Sequence, residues 1–98
     1  MNKKLKDPVT DELFRAVLEL RDIEECYDFF EDLCTVAEIK AIAQRLEVAI
    51  MLKKGDKYTD IEEKTGASSA TISRVKRALN YGADGYNLII DRLFEENK

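Results

Sequence analysis

Residues 55–82 read GDKYTDIEEKTGASSATISRVKRALNYG, and this stretch decides the fold of the chain. It predicts two short helices, about residues 57–64 and 69–81, on either side of Gly66. Glycine is expected at this position because it tolerates the positive φ that so sharp a turn requires. Two short helices joined by a tight glycine turn form a helix-turn-helix, here about residues 57–81.

The ends of these two helices carry capping residues. Ser68 is expected to cap the second helix, because a serine hydroxyl accepts a free backbone N–H at a helix start. For the first helix Asp56 is the favoured cap and Thr59 a competing one.

Apolar side chains are placed to fix how the two helices cross. Ile61 on the first helix can meet Ile72 and Val75 on the second. Ala67 and Ala70 are small where the helices must approach each other. The pair is therefore expected to pack as one rigid unit.

The start of the second helix is small and polar, and its later turns are basic. Small side chains let a helix enter the major groove of DNA closely, and hydroxyls can hydrogen-bond phosphates or base edges. Cations behind them can neutralise phosphates. The candidate DNA-contacting residues are Lys57, Lys64, Ser68, Ser69, Ala70, Thr71, Ser73, Arg74, Lys76 and Arg77.

The charge distribution agrees with a local DNA-binding face, although the chain as a whole is acidic at −4. Residues 1–35 carry ten acids and five bases, whereas residues 36–80 carry six acids and nine bases. Between Lys64 and Arg77 there are four bases and no acid, counting both ends. The positive field is thus expected where the second helix lies.

The remaining sequence predicts further helices and no strands, so the fold class is all-α, with about six helices in a single domain behind a flexible tail at residues 1–8. A first helix should follow a Thr10 cap and run to about Arg21. A second, residues 23–33, follows Asp22. A third starts at a capping box headed by Thr35 and ends at Gly55. The last covers about residues 86–96, after a loop between Gly82 and Gly85.

Six short helices cannot easily bury all their apolar faces within one chain of this length. The apolar stripes of the first, second and last helices are therefore expected to form a core between subunits of a homodimer.

Several classes of protein are disfavoured by the composition. The chain has no histidine, and Cys26 and Cys34 are expected to be free thiols, so no metal, cofactor or catalytic site is predicted. No apolar run is long enough for a membrane helix, and no signal peptide is apparent. The sequence predicts a cytoplasmic protein that is not an enzyme.

At the level of motifs, the chain resembles the Trp repressor superfamily, in particular its uncharacterised Trp-repressor-like bacterial branch. The resemblance covers residues 33–86. It rests on Leu33-Cys34-Thr35 before an acidic helix start, on Ala43-Gln44-Arg45-Leu46, and on Gly66-Ala67 with Ala70-Thr71-Ile72-Ser73-Arg74. It implies an intertwined all-α homodimer that reads double-stranded DNA with two-fold symmetry, and its reading residues match Ser69, Ala70, Thr71 and Ser73.

The resemblance also implies a possible ligand pocket at Thr35, Arg45 and Arg74. Val75 stands where the tryptophan-binding members have glycine, and Ala78 replaces a serine that helps hold the ligand. A valine would fill space that the indole ring needs, and filled pockets relax at a cost. Tryptophan is therefore not expected as the ligand. A different effector, or no effector, is expected instead. Arg45 and Arg74 would instead pair with nearby acids or touch phosphate.

Two functions follow from these observations. The first is a sequence-specific DNA-binding transcriptional regulator. The second is a protein–protein interaction module that keeps a helix-turn-helix fold without DNA binding, which the acidic pI near 4.9 favours.

Overall fold

The computed structural model describes residues 2–95, which contain six α-helices and no strand, as the sequence predicts. The chain divides into two compact units at a boundary after Ile39. The helices are α1 (Pro8–Val17), α2 (Ile23–Leu33), α3 (Val36–Lys54), α4 (Tyr58–Thr65), α5 (Ser69–Tyr81) and α6 (Gly85–Phe94).

The first unit contains α1, α2 and the start of α3, and the two complete helices have no buried residue. Their apolar side chains are nevertheless numerous. Exposed among them are Phe14, Leu18, Ile23, Tyr27 and Leu33. An apolar groove of about 210 Å³ runs along α2, with Ile39 at its edge. This unit therefore has helical faces that are apolar and uncovered.

The second unit contains a small closed core. It consists of Val48, Ala49, Met51, Ile61, Ala67, Ile72, Val75 and Ile90. Helix α4 packs against α5, and α5 packs against α6. The core therefore joins α4 and α5, the two helices of the predicted helix-turn-helix, to α3 and α6.

Two of the predicted helix starts are confirmed by their hydrogen bonds. The Asp22 carboxylate accepts the Glu25 N–H at 2.8 Å. Thr35 and Glu38 form the predicted capping box: the Thr35 hydroxyl accepts the Glu38 N–H at 3.1 Å, and the Glu38 carboxylate accepts the Thr35 N–H at 2.8 Å.

The prediction for the first helix is wrong at both ends. The helix begins at Pro8, and Asp7 is its cap, accepting the Thr10 N–H at 2.7 Å. Proline suits this first position because its missing N–H would have had no helical partner. The helix ends at Val17 instead of Arg21, because the Glu19 and Leu20 N–H groups bond three residues back and tighten the chain into turns.

The last helix also differs from its prediction. It begins at Gly85, a residue predicted to lie in the preceding loop, and Asp84 before it adopts the left-handed conformation at φ 66°. The predicted final residue, Glu96, lies outside the described residues.

Within residues 2–95, no helix combines the length and apolar character that crossing a bilayer would require.

The capping box at Thr35 predicts a pH dependence of stability. The hydrogen bond from the Thr35 backbone N–H, aided by the Thr35 side chain, lowers the pKa of Glu38 from its ordinary value of 4.5. A carboxyl with a lowered pKa in the folded state stabilises the fold above its ordinary pKa, and this stabilisation is lost as the pH falls through the lowered pKa.

We expect Glu38→Gln, which keeps a capping side chain but removes the titration, to be less stable than the unmodified protein at pH 7. The difference should shrink as the pH falls below 4.5. Thermal unfolding of both proteins between pH 7 and pH 3 measures it. A difference that stays constant over this range would show that the Glu38 charge contributes nothing.

Candidate nucleic-acid interface

The two helices predicted on either side of Gly66 are present as α4 and α5, and Gly66 begins the turn between them. Gly66 has φ 72°, and its N–H bonds to the Glu62 carbonyl at 2.9 Å, which closes α4. An added Cβ would meet no atom within 4 Å, so the left-handed backbone and not lack of space favours glycine here.

The start of α4 differs from the prediction. The helix begins at Tyr58 with Lys57 as its N-cap, and no side chain caps it. Neither Asp56 nor Thr59 acts as cap, because the Lys57 carbonyl accepts the first helical bond, from Ile61 N–H at 3.0 Å. The Asp56 N–H instead bonds to the Met51 carbonyl at 3.1 Å and ends α3 in a Schellman motif.

The apolar contact between the two helices is as predicted. Ile61 and Ile72 are 0% exposed and Val75 is 1% exposed, and all three belong to the closed core. Ala67 is buried with them, but Ala70 is exposed. The expectation that Ala70 lets the helices approach is therefore wrong, and its methyl group lies at the surface.

The N-cap of α5 and the first five residues of that helix, residues 68–73, form what we call the reading tip. The Ser68 hydroxyl accepts the Thr71 N–H and donates to the Thr71 hydroxyl, both at 3.1 Å. These two side chains thus hold the helix start, as predicted for Ser68. Ser69, Ala70 and Ser73 are exposed beside them, so the tip offers a small and uncharged surface.

The predicted cations lie on α5, on α4 or at the N-cap of α4, and are exposed. They are Lys57, Lys64, Arg74, Lys76 and Arg77. Among residues 2–95 the only ion pair joins Lys6 to Asp11, so none of the five is neutralised there by a carboxylate. Lys76 has an aromatic neighbour that sequence reasoning missed: its ammonium nitrogen lies 5.5 Å from the centre of the Tyr58 ring.

The residues of the predicted ligand pocket are not shown to form one site. Thr35 belongs to the first unit, where its hydroxyl and N–H are engaged by Glu38. Arg45 and Arg74 belong to the second unit and are exposed. Neither pairs with an acid in the described part of the chain, and the alternative role, contact with phosphate, stays a prediction.

The chain matches a known protein family over most of its length. The family described as Trp repressor protein matches residues 9–94. The chain is 59% identical, over 92 residues, to the uncharacterized protein YerC of Bacillus subtilis strain 168, covering 94% of this chain and 88% of that protein.

Two crystal structures are similar over nearly their whole length. A TrpR-like protein from Eubacterium eligens superposes with a TM-score of 0.91 at 58% identity, covering 94% of this chain and 95% of the other. A proposed Trp repressor from Staphylococcus aureus superposes with a TM-score of 0.91 at 55% identity, covering 95% and 94%.

Proposed function

Because this chain belongs to the Trp repressor family, we propose that it is a sequence-specific DNA-binding transcriptional regulator that acts as a homodimer in the cytoplasm. The observation that carries the proposal is the geometry around Gly66. Buried side chains hold α4 against α5, and the reading tip is exposed, small and polar. The predicted cations of these two helices are exposed, and none forms an ion pair within residues 2–95.

The chemistry of α5 suits the major groove of DNA. Helix-turn-helix proteins insert the start of the second helix there, and bulky side chains at that end would hold the backbone away from the base edges. Ser69 and Ser73 offer hydroxyls, and the Ala70 methyl can contact a thymine methyl. Arg74 and Arg77, three residues apart, lie on neighbouring positions of one helix face and can reach the phosphate backbone.

The uncovered apolar faces support the dimer. Helices α1 and α2 bury no residue, and on α6 the side chains of Leu88, Ile89 and Leu93 are exposed. Burying one such side chain contributes about 1.5–3 kcal/mol, so several together strongly favour a partner. A second copy of the chain offers the same apolar faces in a symmetric arrangement and places two reading tips on one duplex.

Tryptophan is not the effector in this proposal. Val75 is 1% exposed and packs in the core with Ile61 and Ile72, so its methyl groups already fill the space beside α5. Opening that space for an indole ring would displace packed side chains at a cost of typically 1–3 kcal/mol. Any effector is therefore a different small molecule, and none is required for the tip to be exposed.

A binding measurement tests the proposal. The logarithm of the affinity of the protein for short random-sequence duplexes, followed by fluorescence anisotropy, should fall linearly with the logarithm of the salt concentration. Sedimentation should show two chains bound per duplex. Absence of any salt-sensitive affinity at low ionic strength would contradict DNA binding, and a monomer in solution would contradict the homodimer.

A second candidate function is a protein–protein interaction module. The acidic pI near 4.9 and the exposed apolar faces of the first unit favour it. The interaction module predicts a complex with a protein partner whose stability does not depend on the charged residues of α5. The arginine substitutions described in the Discussion separate the two functions.

A further inference from the structure

A groove lies between α3 and the end of α4, next to the turn that leads into α5. Its volume is about 320 Å³. It is lined by Lys40, Ala43, Gln44, Glu47, Lys64 and Thr65.

Hydrogen bonds fix this groove relative to the reading tip. The Gln44 side-chain amide donates to the Thr65 carbonyl at 3.1 Å, which ties α3 to the end of α4. The Thr65 hydroxyl donates to the Ile61 carbonyl at 2.7 Å and accepts the Ala67 N–H at 3.1 Å. Ser68, the cap of α5, follows three residues after Thr65, a span of about 10 Å at most.

The groove has an unbalanced positive charge. Lys40 and Lys64 are exposed, and neither forms an ion pair with another residue in the range 2–95. Glu47 is the acid among the lining residues, and it lies seven residues from Lys40, about 10 Å further along the axis of α3. Two ammonium groups beside one groove repel each other and are stabilised by an anion placed between them.

We propose that Lys40 and Lys64 together bind a backbone phosphate of the DNA whose major groove receives the reading tip. The inference rests on the proposed function and adds to it a contact from α3, outside the helix-turn-helix. The major groove is about 12 Å wide, so the phosphates of its two strands flank an inserted helix start closely. Lys64 precedes Ser68, the N-cap of α5, by four residues, and Lys40 lines the same groove. Both lysines are therefore placed to reach these phosphates.

The salt dependence of DNA affinity tests this contact. Each phosphate contact contributes about 0.9 to the slope of log affinity against log salt. Because each subunit of the dimer binds one such phosphate, we expect the double variant Lys40→Ala with Lys64→Ala to reduce that slope by about 1.8 and the affinity roughly sixtyfold at 0.1 M salt. Each single variant should show part of this loss. The matched control is Lys54→Ala, at the far end of the same helix and about 21 Å away, which should change neither quantity.

Neutral methylphosphonates, introduced one at a time into a duplex recovered by selection, separate a local contact from a general charge effect. At one position in each half-site, the methylphosphonate should weaken binding by the unmodified protein but should not weaken binding by Lys40→Ala any further. A variant Lys40→Ala that binds like Lys54→Ala, or that responds equally at every position, overturns the inference while leaving the proposed function intact. If the unmodified protein shows no salt-sensitive DNA affinity, the proposed function and this inference both fail.

Discussion

Replacing Arg74 and Arg77 together by alanine is expected to weaken DNA binding roughly four-thousandfold at 0.1 M salt and to leave the dimer intact. Both side chains are exposed on α5, and neither is paired with an acid in residues 2–95. Four lost phosphate contacts, two in each subunit of the dimer, would lower the salt slope by about 3.6, and that slope sets the expected loss. Anisotropy titrations at several salt concentrations, with sedimentation of the free protein, measure both effects.

A double variant of equal charge provides the control. Lys3→Ala with Lys4→Ala removes two exposed cations that precede α1 in the first unit, outside the predicted helix-turn-helix. It should leave the salt slope unchanged. If both double variants lose affinity equally, total charge and not the face of α5 governs binding. If the protein has no DNA affinity and neither double variant changes its binding to a protein partner, the protein–protein interaction module is the better account.

The second large effect concerns the core beneath the reading tip. Ile72→Ala is expected to lower the free energy of unfolding by about 2–5 kcal/mol, because it removes buried methylene and methyl groups and leaves a cavity. Ile72 is 0% exposed and lies among Ile61, Val75 and Ala67. Since this cluster holds α4 against α5, the variant should also lose DNA affinity at temperatures where it still folds.

Ser73→Ala, one residue further along α5, is the matched control for stability. Ser73 is exposed, so the change should stay within about 0.5 kcal/mol. Chemical denaturation at a fixed protein concentration is required, because dimerisation couples stability to concentration. An Ile72→Ala protein as stable as Ser73→Ala would mean that the cluster does not support the helix pair.

The features that the sequence predicted correctly depend on neighbouring residues. The caps at Asp22, Thr35 and Ser68 each join a side chain to a backbone N–H three residues away. Gly66 turns the chain through its own backbone freedom. Local chemistry of this kind is readable from a short window of sequence.

The errors arise where one capping residue competes with another. At the start of α1, Thr10 could cap, but Asp7 followed by proline does so and moves the helix three residues earlier. At the start of α4, the Schellman motif that ends α3 uses the Asp56 N–H and leaves Lys57 as an N-cap without a side-chain bond. Such outcomes depend on how adjacent elements share the same few residues.

Within the candidate interface, pattern predicted the tip and its cations but missed what lies beside them. Gln44 and Thr65 are 21 residues apart, so their hydrogen bond, and the groove that Lys40 lines, have no local signal. The Lys76–Tyr58 contact similarly joins two helices. The first requires knowing that α3 and α4 are neighbours, and the second requires knowing how α4 and α5 cross.

The most direct test of the account is selection of bound sequences from a random DNA pool, with and without candidate amino acids. A homodimer with two reading tips should enrich a two-fold symmetric consensus whose half-sites lie about one helical turn apart, and Arg74→Ala with Arg77→Ala should abolish the enrichment. No enrichment, or a single asymmetric site, would contradict the claim that paired α5 helices read DNA.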